Sequence, residues 1–145
     1  MALYVAVCIM AELTAVTDTA EPHGRVLVLI WGTAAGLALV HWFAFQLGAR
    51  LIAQGQLRAA DAAVAGAQLA GAALVAALVT LPIIVLPASY ERDVARLELA
   101  GFIAAVGYVV AHESGASRRR ALGFAFVTLA LSLVIAGIKL IVTGH

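Results

Sequence analysis

Glu91-Arg92-Asp93-Val94-Ala95-Arg96-Leu97-Glu98 opens a stretch that turns almost wholly apolar from Leu99 to Ala111 and closes on His112-Glu113. A charged start followed by an uninterrupted apolar run reads as a helix that crosses a bilayer, which takes roughly 20 residues. Residues seven apart share one helix face, so Glu91, Glu98, Ala105 and His112 form a row, flanked by Gly101 and Tyr108. Inside lipid, a row carrying polar groups must face protein or water, because hydrocarbon leaves those groups unsatisfied. The expectation is that the remaining helices pack over this row.

Composition agrees with a membrane protein. The chain has 145 residues, 64% hydrophobic and only 12% charged, with a mean hydropathy of +1.05. Those proportions leave too little polar surface for a soluble domain of this size. The alternating segments of a β-barrel are absent, so the fold class is an all-α bundle. The one cysteine, Cys8, excludes an intrachain disulfide and a cysteine zinc site.

Outward from residues 90–112, the pattern predicts four further helices, at about 2–17, 26–51, 59–81 and 121–142. Polar breaks separate them: residues 17–25 (TDTAEPHGR), the turn around Arg50, Gln54, Gln56 and Arg58, and the basic linker Ser114–Arg120. Pro82 and Pro87 kink or end the third helix, and Ser89 is placed to cap the fourth. Five membrane helices in one bundle account for the whole chain. Small residues mark where helices would approach closely: Gly32 and Gly36 in a GxxxG spacing, Gly66 and Gly71 on ridges of the third helix, and Gly101 on the fourth. These ridges exceed what five helices need among themselves and predict a homo-oligomer.

Arginines set the expected orientation. Arg118, Arg119 and Arg120 belong on the cytoplasmic side, as do Arg50 and Arg58 if the helices alternate. That puts the amino terminus inside and the carboxyl terminus outside a cell membrane, with a net charge of −2 on the outer side and +3 on the inner. The three consecutive arginines would meet anionic headgroups; nothing else in the chain suggests nucleic acid.

In this frame Glu12, Glu98 and Lys139 fall at similar depth in the outer half, each beside small or hydroxyl residues. A carboxylate near an ammonium could bind a cation or exchange a proton. It could equally fix helix register, with Lys139 reaching the interface. A path inward would pass His41, Gln68, Tyr108, Thr128, Ser132 and His112. His41 and His112 differ in depth by about 10 Å at the helical rise of 1.5 Å per residue, and no Cys or Met cluster joins them, so no metal, haem or other cofactor is expected. His23, near Asp18 and Glu21, reads as part of a solvated turn.

Ile9-Met10-Ala11-Glu12-Leu13 resembles the first helix of the small multidrug resistance transporters. In that family a membrane-embedded glutamate exchanges protons for cationic drugs. The resemblance covers about ten residues, and this chain departs from the family in helix number and in lacking its later glycine-aromatic pattern. It implies a role for Glu12 alone. The potassium-filter sequence, Walker A, HExxH and GxSxG are missing, so the chain is not expected to be an enzyme. The reading is a small channel or transporter for an ion, proton or small cation. The alternative is a non-catalytic scaffold or accessory subunit whose polar rows only dock helices.

Overall fold

A computed structural model describes residues 1–15, 22–52 and 59–143, and only the backbone at 49, 50, 52, 59–61, 139, 140 and 143. The described residues form five helices and no strand: α1 (Ala2–Ala15), α2 (His23–Ile52), α3 (Ala59–Val85), α4 (Glu91–Glu113) and α5 (Arg118–Thr143). Helices α2 to α5 are long and apolar enough to cross a membrane.

The first helix departs from the expected span. Its 14 residues reach about 21 Å at 1.5 Å per residue, short of a hydrocarbon core of about 30 Å. It is instead the centre of the bundle, touching all four other helices. Val5, Ala6, Ile9 and Leu13 are fully buried, and Met10 and Ala11 nearly so. At its start Ala2 lies against Gly71, half-way along α3, where an added Cβ would meet Ala2 Cβ at 3.2 Å. At its other end the carbonyl of Leu13 accepts a hydrogen bond from Arg96 Nη2 at 2.6 Å. So α1 occupies half the depth of the bundle, and its start lies at mid-depth rather than at the end where α4 meets α5.

Around it the long helices follow in antiparallel order, with α2 on α3, α3 on α4 and α4 on α5. The ring does not close, because α2 and α5 stand apart along their described lengths. Two ends are thereby defined. At the His23 end α2 begins, α3 stops and α4 begins. At the Arg118 end α4 turns into α5.

Local chemistry explains the ends. α3 runs through Pro82 to Val85 instead of stopping at 81. The proline costs one backbone bond, and its neighbour Ile83 is fully buried in the core. Tyr90, not Ser89, occupies the cap position of α4, and no side chain bonds the open amides there. The α4 C-terminus closes through Gly115 N–H to His112 C=O and Ala116 N–H to Ala111 C=O, with Gly115 at φ 83°. This paired arrangement needs a left-handed residue after the helix, which glycine supplies without a Cβ clash. The basic run 118–120 is helical, the first turn of α5.

The row that opened the reading of the sequence is not the covered face of α4. Glu91 is buried and Glu98 half-buried, but Ala105 and His112 are exposed. The covered face is Ala95, Leu99, Ile103, Gly107 and Ala111, a row at four-residue spacing. Such a row interdigitates with a neighbouring helix, and Gly107 lets α5 come close: a Cβ there would meet Thr128 Oγ1 at 3.0 Å and Ala125 Cα at 3.3 Å.

Candidate functional site

The gap between α2 and α5 holds a cavity of about 780 Å³, with α1 as its floor. It runs along α1 from Leu3 to Glu12, and its far wall is α5 from Phe124 to Ile135. The polar side chains in it are Tyr4, Cys8 and Glu12 from α1, Thr33 from α2, and Thr128 and Ser132 from α5. Leu3, Val7, Leu37, Leu131 and Ile135 make the rest of the surface apolar.

The two α5 hydroxyls have a defined polarity. Thr128 Oγ1 donates to Phe124 C=O at 2.8 Å, and Ser132 Oγ donates to Thr128 C=O at 2.9 Å. Each hydroxyl proton is used on its own helix, which leaves the oxygen lone pairs as acceptors. With the Glu12 carboxylate, the cavity presents oxygen acceptors on two facing helices. An acceptor-rich apolar cavity suits a cation or a proton better than an anion.

Several features hold Glu12 in place. The next residue, Leu13, is fully buried and carries the carbonyl bonded by Arg96. That carbonyl lies in the last turn of α1, where helical partners run out, so the guanidinium caps it with a charge-assisted bond. Arg96 Nη1 also meets Asp93 Oδ1 at 3.0 Å. On α2 and α3, Trp31 Nε1 donates to Thr80 Oγ1 at 3.0 Å and fixes the wall opposite α5.

The expected residues divide among separate places. Glu12, Thr128 and Ser132 come together in the cavity. Glu98 lies at similar depth but across the bundle, in a groove between α3 and α4 with Leu81, Pro82, Val85, Leu86, Val94 and Leu97. His41 and Gln68 share a narrow crevice with Met1 and Trp42 nearer the Arg118 end. Tyr108 and His112 stack on each other with ring centroids 5.7 Å apart, and His112 is exposed. The Lys139 side chain, like Asp18, Glu21, Arg58 and His145, lies outside the described residues; its backbone follows Ile135 by one turn on α5. Gly71 is a close contact, whereas Gly32, Gly36, Gly66 and Gly101 have open space where a Cβ would stand.

A second polar cluster, at the His23 end, was not anticipated. Glu91 is fully buried, with His23 Nδ1 2.7 Å from its Oε2. The same Nδ1 lies 3.0 Å from the Ile83 carbonyl oxygen. A carbonyl can only accept, so Nδ1 carries the proton and donates it to Ile83; the Glu91 carboxylate stands against the ring, and Arg92 Nε lies 3.8 Å from its Oε1, without a hydrogen bond to either oxygen among the described residues. The cluster ties the starts of α2 and α4 to the end of α3. In the sequence, His23 reads as part of a solvated turn and Glu91 as the first turn of the fourth helix, and nothing in their spacing pairs them.

No protein-family model, curated protein or solved structure matches the chain. The assignment of function therefore rests on the site.

Proposed function

We propose that the chain is a small multi-pass membrane transporter that binds a proton or small cation in the α1–α2–α5 cavity. Glu12 is the charge partner, and Thr128 and Ser132 supply neutral oxygens. The observation that carries this reading is the cavity itself: a carboxylate and two acceptor hydroxyls on facing helices, in a space of about 780 Å³ among apolar walls. The His23 end faces outside and the Arg118 end the cytoplasm, where Arg118–Arg120 meet anionic headgroups.

The second reading, a membrane scaffold, draws on Gly32, Gly36 and Gly66, which present open small-residue surface on α2 and α3. That surface suits a second copy of the chain, and oligomerisation is compatible with either reading.

Flux across liposomes decides between them. Glu12→Gln should abolish proton or cation flux while the folded bundle persists in detergent. Equal flux in wild type and Glu12→Gln, or none in wild type under either a proton or a monovalent-cation gradient, would remove the transport reading.

A further inference from the structure

The groove between α3 and α4 has a volume of about 570 Å³, and Glu98 is the ionisable residue in it. Leu81, Val85 and Leu97 beside it are exposed, so this is a face that membrane lipid reaches. Glu98 Oε2 is buried and has no hydrogen-bond partner among the described residues. A buried carboxylate oxygen left so, in apolar surroundings, needs a donor.

Charge near the groove narrows the choice of donor. Arg96 bonds Asp93 through Nη1 and the Leu13 carbonyl through Nη2, and its Nε, buried without a partner among the described residues, does not reach Glu98 Oε2. Asp93 is exposed, one turn closer to the His23 end. Among the described residues lining the groove Glu98 is the charged one, and no cation stands with it there. Glu98 is seven residues into α4, roughly 10 Å along its axis, and helical side chains lean toward the N-terminus, here toward the membrane surface. The exposed Tyr90 ring marks that surface.

We propose that the α3–α4 groove binds an aminophospholipid, with its primary ammonium on the Glu98 carboxylate and an acyl chain along Leu81, Val85 and Leu97. A primary ammonium has three N–H donors, one of which satisfies Oε2. A choline headgroup has the same charge and no N–H, so it leaves the buried oxygen unsatisfied. The groove is thus selective for hydrogen-bond donation and not for charge alone. This site is independent of the Glu12 cavity.

The test is native mass spectrometry of the purified chain with equal amounts of phosphatidylethanolamine, phosphatidylcholine and phosphatidylglycerol. Wild type should retain phosphatidylethanolamine over phosphatidylcholine by about tenfold, the ratio expected for one charge-assisted hydrogen bond. Glu98→Leu should erase that preference, and so should Leu97→Trp, which fills the groove and keeps the carboxylate. Glu12→Gln should leave it intact, which separates this site from the transport reading. Equal retention of the two lipids by wild type would overturn the proposal, as would a preference that survives both groove variants. A disulfide between Leu97→Cys copies in a Cys8→Ala background, formed equally with and without phosphatidylethanolamine, would also overturn it by assigning the groove to a second copy.

Discussion

Replacing His23 by alanine removes the N–H that the Ile83 carbonyl accepts and the ring that stands against a buried carboxylate at the His23 end of the bundle. The Glu91 carboxylate behind it is fully buried, 2.7 Å from Nδ1, and the Ile83 carbonyl is 3.0 Å away. A hydrogen bond to a neutral carbonyl contributes about 0.5–1.5 kcal/mol. The contact with the Glu91 carboxylate adds to this, and because the His23 side chain is 51% exposed solvent screening keeps the total at about 1–2 kcal/mol. His23→Asn puts an amide N–H near the Nδ1 position and should recover much of the loss. The decisive comparison is in a Glu91→Leu background, where the Ile83 carbonyl remains and the buried carboxylate is gone. There His23→Ala should cost only the Ile83 hydrogen bond, about 0.5–1 kcal/mol. Unfolding of the four forms in detergent, as a double-mutant cycle, measures the difference. An equal cost of His23→Ala with and without Glu91 would refute the reasoning, because the histidine would then act through its own packing.

Three other outcomes follow from the geometry. Gly107→Val should destabilise by about 1–3 kcal/mol through overpacking, since even a Cβ meets Thr128 and Ala125, whereas Gly32→Val should leave the unfolding of the monomer unchanged; equal melting of the two variants would remove the α4–α5 contact. Gly115→Ala should cost about 1–2 kcal/mol, because the position is left-handed, and denaturant unfolding reads it directly. In a Cys8→Ala background, Ser89→Cys should react with an impermeant thiol reagent from outside intact cells and Ser117→Cys should not; the reverse labelling would invert the orientation.

The helical class and four helices long and apolar enough to cross a membrane were legible, because a bilayer imposes a length and a composition on any helix that crosses it. The interior arrangement was less legible. α1 reads as a span by apolarity, since Ala2–Val16 carries one charge. Its burial on nearly every side is a property of its neighbours, which its own residues do not encode. Gly32–Gly36 and Gly107 show the same limit. A GxxxG spacing states that close approach is possible on that face, and the face turns out to be open within the chain. Gly107 has no such spacing and is where two helices meet.

Glu12 and Glu98 carry the point into function. Position along each helix gives an expected depth, and on that basis the sequence puts both carboxylates at one level. Depth is one coordinate of three. The azimuth of α4 is set by Ala95, Leu99, Ile103 and Gly107, which bury toward α1 and α5 and turn Glu98 toward α3 and the lipid-accessible groove. The azimuth of α1 turns Glu12 toward α5, where Thr128 and Ser132 recur at a four-residue spacing. Two charges that read as one outer site thus stand in chemically different places. One lies among back-bonded hydroxyls, where a cation can be held between helices. The other stands in an apolar groove beside the exposed Leu81, Val85 and Leu97. Removing Glu98 should therefore leave cation binding at Glu12 unaltered, and parallel flux measurements on Glu98→Gln and Glu12→Gln distinguish the two positions. Loss of flux in both would reunite them as one site.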